Sequence, residues 1–351
     1  MTYGESHGAA LGVTIDGCPA GIPLDESVIQ LELNRRRPGA HTDKLNPATT
    51  ARKESDECEI LSGVFEGKTT GTPISIIVRN TNQKSDDYDD IARSFRPGHA
   101  DYTYQKKYGT RDWRGGGRSS GRETIGRVAA GAVAKRFLEN KGISVLAWTS
   151  EAAGIACEKF DESEIERNQF RACDGAAAEK MLARIIELKS RGDSAGGIVT
   201  CRVSGKGLIA GLGEPVFDKL DAQLAGAMLS IGAVKGIEFG SGFASARMTG
   251  SEWNDPMRID PATGRPEFLT NHAGGILGGI SNGADIVFNA AVKPVPSISL
   301  QQKTVDLDGG DCDIEIHGRH DVCLCPRIVP VVEAMTALVI ADLYLRYQAV
   351  Q

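Results

Sequence analysis

Missing from this 351-residue chain is any cysteine pattern that would bind a metal. Its eight cysteines are scattered, and only Cys323 and Cys325 lie close together. A C-x-C pair without partners at zinc spacing is a poor metal site, so none is expected. With no signal peptide, scattered thiols point to a reduced, cytosolic compartment. A basic excess is missing too: the net charge of −6 argues against nucleic acid as the main partner. Long apolar runs are scarce, and the one at residues 328–345 contains Glu333 and Asp342. It reads as a buried core helix, not a membrane span. No repeat, low-complexity tract or linker divides the sequence, so a single domain over 1–351 is expected.

Glycine, by contrast, is abundant at 42 residues, and much of it is clustered where backbone must turn sharply or approach a ligand. The densest cluster is residues 114–124, RGGGRSSGRET. Behind it Ile125, Val128, Ala129, Ala132, Val133, Phe137 and Leu138 recur at helical spacing. A glycine loop feeding a helix start offers free N–H groups and the positive end of the helix dipole, which together suit an anion. Arg114, Arg118 and Arg122 add charge around it. The alternative is a tight turn with Ser119 or Ser120 as helix cap. RGGGRSS is not G-x-G-x-x-G and no clear strand precedes it, which argues against a nicotinamide Rossmann site.

Along the chain, His7 sits in GESHG before a strand-like run at residues 10–15. Residues 24–37 read as a helix capped by Asp25 and ended by Pro38-Gly39. Its last turn, Arg35-Arg36-Arg37, complements the dipole but exceeds what capping needs, so at least one arginine can face a pocket. Strands are expected at 58–65 and 73–78, and a polar surface loop at 80–90. FRPGHADYTY, residues 95–104, reads as one loop carrying His99. Further helices are expected at 176–191 and at 215–230 (with Phe217 on its apolar side), a strand at 198–203 and an exposed excursion at 248–267. NHAGGILGGI, residues 271–280, is either a hairpin or a backbone surface for a flat ring. GRHD, residues 318–321, is either a solvated turn or a cation and an acid aimed into a pocket. An anion loop, dispersed arginines and glycine surfaces together fit a multiply anionic substrate with a planar cofactor such as a flavin.

These motifs, in order along essentially the whole chain, resemble the chorismate synthase family: GESHG, RRRPG, FRPGHADYTY, RGGGRSSGRET, NHAGGILGGIS and GRHD. The resemblance implies an α+β fold, a β-α-β sandwich with buried helices between antiparallel sheets, assembled as a cytoplasmic homotetramer. It implies a carbon–oxygen lyase of the shikimate pathway, on the route to aromatic amino acids. The enzyme would convert 5-enolpyruvylshikimate 3-phosphate into chorismate and phosphate by 1,4-elimination. Reduced FMN would be needed without net redox change, donating an electron transiently and receiving the substrate's proton at N5. No separate nicotinamide motif is present, so the reductant is expected from outside, with NADPH as its ultimate source.

By the same resemblance His7 acts on departing phosphate, His99 lies at the flavin pyrimidine edge as a cationic imidazole, and Asp321 relays the proton at N5. FMN contacts are implied for Arg118, Ser119, Ser120, Gly232, Ala233, Gly278, Lys293, Pro294, Val295, Pro296, Ser297 and Arg319. Arg36 is implied to bind an anion of substrate or NADP. The family also carries a short strand before GESHG, for which this chain has little room. Residues 293–297, KPVPS, hold fewer hydroxyls than many relatives, and Thr42 replaces a frequent arginine. Two rivals differ in class. A flavin-binding redox protein or flavin reductase leaves the arginines and loop histidines unexplained, and an RNA binder conflicts with the acidic net charge.

Overall fold

The alternation in residues 74–79, ISIIVR, buries Ile74, Ile76 and Val78 on one face, as a half-covered strand requires. In the computed structural model, which describes residues 1–38, 46–49, 55–80, 92–262, 264, 266–316, 318 and 320–351, this segment belongs to a first antiparallel sheet. Its strands are β1 (Thr2–Gly4), β2 (Ala10–Ile15), β3 (Cys58–Ser62) and β4 (Ile74–Arg79), in the order β1-β2-β4-β3. The three residues of β1 pair with Gly12, Val13 and Leu11, so the strand before GESHG is present after all, in minimal form. Thr42 and residues 81–90 of the expected polar loop lie outside the described residues.

A second antiparallel sheet contains β5 (Ser144–Ala152), β6 (Ile155–Ala156), β7 (Gly197–Ser204), β8 (Val234–Phe239) and β9 (Ile286–Val292), ordered β8-β9-β7-β5-β6. The helices are α1 (Glu26–Arg36), α2 (Asp101–Tyr108), α3 (Thr124–Glu139), α4 (Gly175–Ser190), α5 (Leu220–Leu229), α6 (Gly250–Trp253) and α7 (Cys325–Val350). Helices α3 and α7 fill the space between the sheets, and small residues set how closely they approach. A Cβ on Gly126 of α3 would meet the Gly12 carbonyl oxygen of β2 at 3.0 Å. One on Gly131 would come within 2.2 Å of Ala334 Cβ in α7, and one on Gly197 of β7 within 2.7 Å of Cys325 Sγ. Sheet, helices and sheet are thus stacked as the β-α-β sandwich expected. Helix α7 is long and apolar enough to cross a membrane, but 67% of its most apolar window is buried inside the protein.

Some local expectations need correction. Residues 95–104 are not one loop: Asp101 opens α2, whose polar surface gives no apolar stripe to read. The helix expected at 215–230 begins only at Leu220, and Phe217 lies 92% exposed. Ser120 accepts from Arg122 N at 3.4 Å, capping a 3₁₀ turn at Gly121–Glu123, whereas α3 itself has no side-chain cap. The excursion at 248–267 is exposed and folds into α6 and a two-stranded ribbon, Met257–Ile259 with Pro266–Phe268.

The layers are joined by Glu333 of α7, buried at 1% exposure. Its carboxylate accepts from Arg35 Nη1 at 2.5 Å in α1, Lys135 Nζ at 2.8 Å in α3 and Ala147 N at 3.0 Å in β5. Burial opposes its charge, but Arg35 and Lys135 outweigh this and hold it well below the ordinary carboxylate range. A depressed folded-state pKa adds stability above the unfolded value, lost as pH falls through the folded one. Glu333→Gln is therefore expected to cost about 3 kcal/mol at pH 7. Its deficit against the unaltered protein should narrow below about pH 4, where the unfolded carboxyl takes up a proton. Urea titrations at several pH values check this; a deficit independent of pH would reject it.

Candidate active site

Glu333 holds α3 through Lys135, and the segment before α3 forms one wall of a cavity of about 760 Å³. Gly115, Gly116 and Gly117 have φ of +68°, +90° and +54°, a left-handed run that only glycine adopts without strain. These glycines do more than expose N–H groups. A Cβ on Gly115 would lie 2.6 Å from His7 Cε1, and one on Gly116 would lie 3.0 Å from His99 Cε1. The glycine run is what lets two imidazoles stand against adjacent residues of the same loop. Beside the helix start, the Glu123 carboxylate accepts from Thr2 Oγ1 at 2.9 Å and Arg127 Nε at 2.8 Å, with Arg118 Nη2 at 3.4 Å, and does not cap the helix's own amides.

Of the sequence candidates, His7, His99 and Asp321 all line this cavity, as do Arg36, Arg118, Ser119 and Ser120. Gly232, Ala233, Lys293, Val295, Pro296 and Ser297 line it as well. Two do not. Pro294 packs toward Gly196, where an added Cβ would meet its Cδ at 3.2 Å. Gly278 lies in the turn of a hairpin, Ile276–Leu277 with Ile280–Ser281, where φ of +61° and +87° at Gly278 and Gly279 meets the demand of a tight two-residue turn. That stretch is the hairpin, apart from the cavity. Arg319 lies outside the described residues.

Among the described residues seven cations line the cavity against two carboxylates: Arg36, Arg96, Arg118, Arg122, Arg127, Arg327 and Lys293 against Glu123 and Asp321. Arg114 is not among them; its Nε pairs with Asp112 at 3.0 Å near the surface. The triplet at residues 35–37 is divided: Arg35 turns to Glu333, while Arg36 donates to Asp56 Oδ2 and Thr124 Oγ1, both at 3.0 Å. Asp56 also accepts from Arg122 at 3.0 Å. Arg118 donates to the Gly4 carbonyl at 2.9 Å and Thr2 Oγ1 at 2.7 Å, tying the cavity wall to β1.

Sequence reasoning missed Arg96, Arg127 and Arg327. Arg127 follows Glu123 by four residues and looks like an ordinary helix ion pair. Arg327 left a usable signal, since a cation in the first turn of α7 opposes the helix dipole and calls for an acid. That acid is Asp321, 2.6 Å away.

His7 has Ser6 Oγ 3.0 Å from its Nδ1 and is buried. His99 is held below the ordinary histidine pKa, chiefly by burial and then by the charges of Arg96 and Lys293, against the opposing pull of Asp101. The cationic imidazole expected from the sequence is therefore disfavoured in the unliganded protein.

Comparison with known proteins places the chain in a family. Residues 1–345 match the family model described as chorismate synthase. A chorismate synthase of Syntrophobacter fumaroxidans is 57% identical over 344 residues, covering 98% of this chain and 94% of that protein. One of Roseiflexus castenholzii is 55% identical over 347 residues, covering 98% and 94%. A crystal structure of chorismate synthase superposes with a TM-score of 0.75 at 31% identity, covering 98% of this chain and 90% of the other. The chain belongs to the chorismate synthase family.

Proposed function

We propose that this chain carries out its family's 1,4-elimination of phosphate from 5-enolpyruvylshikimate 3-phosphate, giving chorismate, with His7, His99 and Asp321 at the reacting atoms. The observation that carries the reading is their convergence, from three distant segments, in one cavity with a surplus of cations. A substrate with two carboxylates and a phosphate needs guanidinium forks and a water-poor site. The cavity's volume lies toward the upper end of the range of about 300–1,000 Å³ for small-molecule sites, which gives room for a cofactor beside the substrate.

The residues fit FMN as that cofactor. Arg118, Ser119 and Ser120 on one wall, with Gly232, Ala233 and the backbone of residues 293–297 on another, supply hydroxyls, amides and charge for a phosphate and a polar ring edge. Gly232 leaves open space where a Cβ would stand, so a flat ring can approach its backbone. Reduced flavin, when bound, supplies the electron density that eases loss of phosphate. His7, oriented by Ser6, is placed to protonate the leaving phosphate. His99 offers a neutral imidazole whose basicity rises once anions enter and offset Arg96 and Lys293. Asp321, held by Arg327, is the acid that hands on the substrate proton.

A single domain is supported by the cavity's lining, which draws on residues from Ser6 to Val331. The eight free cysteines fit a reducing cytoplasm. Exposed apolar side chains such as Phe217 and Phe243 fit association into the family's homotetramer. We assign reduction of FMN to an outside system drawing on NADPH.

Mixing the protein anaerobically with reduced FMN and the phosphorylated substrate should release chorismate and phosphate in equal amounts, with the flavin still reduced at the end. Flavin oxidation in step with turnover would instead mark a redox enzyme. His7→Ala and His99→Ala should each lower kcat by roughly 10²-fold or more while FMN affinity changes little; full turnover in both would reject their roles. Gly115→Ala, which forces a methyl into the His7 ring, should lower kcat in the same way with the fold retained by circular dichroism.

A further inference from the structure

His99 is held in a short, closed turn. Its backbone N–H donates to the Arg96 carbonyl at 3.2 Å, and Lys293 Nζ donates to the Gly98 carbonyl at 2.8 Å. Two residues later Asp101, 3% exposed, begins α2. Its carboxylate accepts from Arg96 three times, from N at 3.2 Å, Nε at 2.7 Å and Nη2 at 2.9 Å. Arg111 Nη1 stands 3.4 Å from Oδ1, and His99 Nδ1 stands 2.9 Å from the same oxygen, in a close but bent contact. The Cε1–Nε2 edge of the ring backs onto Gly116, whose missing Cβ would lie 3.0 and 3.3 Å from those atoms.

We propose that Asp101 is a positioning residue for His99: its carboxylate keeps the imidazole proton on Nδ1 and leaves Nε2, at the cavity, as an acceptor. The inference rests on the role given to His99 above. An ionised carboxylate has no proton to donate, so the ring nitrogen facing it must be the N–H. Asp101 stays ionised although burial opposes it, because the hydrogen bonds from Arg96, with the His99 ring close by, hold its carboxyl far below the ordinary range. The ring stays neutral for the reasons given above, so it carries one proton only. With Asp101 claiming that proton at Nδ1, the lone pair falls to Nε2. The charged groups facing this unit are Asp101, Arg96, Arg111 and Lys293. Arg96 has a second part here: it neutralises Asp101 enough that the carboxylate orients the imidazole without drawing it fully into the cationic form.

The test is the tautomer itself. In the unliganded, histidine-labelled full chain, long-range ¹H–¹⁵N spectra should show His99 with a protonated, pyrrole-like Nδ1 and a pyridine-like Nε2, assigned with H99Q. D101N should shift the proton to Nε2 and lower kcat by roughly 10²-fold, with FMN affinity within about threefold. An Nε2–H tautomer in the unaltered protein overturns the proposal, as does full turnover in folded D101N. Should D101N fail to fold once Arg96 loses its partner, the spectrum of the unaltered protein decides alone. Failure of the unaltered protein to release phosphate would count against the functional reading and leave the tautomer result standing.

Discussion

A single buried carboxylate, that of Glu333, ties α1, α3, β5 and α7 to one another. An ion taken out of water is costly unless every lone pair is met, and here two cations and a backbone amide meet it. Such a group tolerates little sliding of the layers, because a shift that relieves one contact breaks another. Its partner Arg35 is braced from the other side: Arg171, fully buried, donates to the Arg35 carbonyl at 2.7 Å and the Pro326 carbonyl at 3.1 Å. Arg36, the next residue, points elsewhere on the same helix turn and grips Thr124 and the Gly121 carbonyl at the cavity wall. Adjacent arginines thus carry the core's register to the active site.

The cavity shows how an acidic protein concentrates positive charge without unfolding around it. Almost every arginine that lines it leans on one of the protein's own acids: Arg36 and Arg122 on Asp56, Arg96 on Asp101, Arg118 and Arg127 on Glu123, Arg327 on Asp321. Each acid restrains a guanidinium in place and offsets part of its charge, so the cations do not repel one another apart. The surplus that remains is preorganised for an incoming anion and needs little rearrangement when charge moves.

Helices and strands with regular apolar spacing were legible in the sequence, down to Asp25 as the cap of α1, because periodicity reports directly on which face is buried. The polar helix α2 was not, since its formation depends on the Arg96–Asp101 pair closing the turn in front of it. The glycine run at 115–117 was located but explained too narrowly: its need for room arises from His7, more than a hundred residues earlier. Gly278, assigned to the cofactor, stands in a hairpin turn outside the cavity's lining. Arg127 was hidden by its resemblance to a surface ion pair. For the glycine run and for Arg127 the deciding contact is distant in sequence, and no local pattern carries it. The resemblance of six motifs supplied the sandwich topology; spacing gave only a mixture of α and β.

Such long-range dependence also bears on how the site tolerates change. His7, His99 and Asp321 sit on short turns with little secondary structure of their own, and their relative placement is inherited from α3, α7 and the strands these helices cover. Near-attack geometry is lost with displacements of about 1 Å. The backbones of α3 and α7 already touch at Gly131 and Ala334, so an added methyl there must move one helix. Helix α3 carries the glycine wall against both imidazoles, while α7 carries Arg327 and with it Asp321. A change at that remote crossing therefore moves the two histidines relative to the acid, and it acts on turnover before it acts on the binding of either reactant.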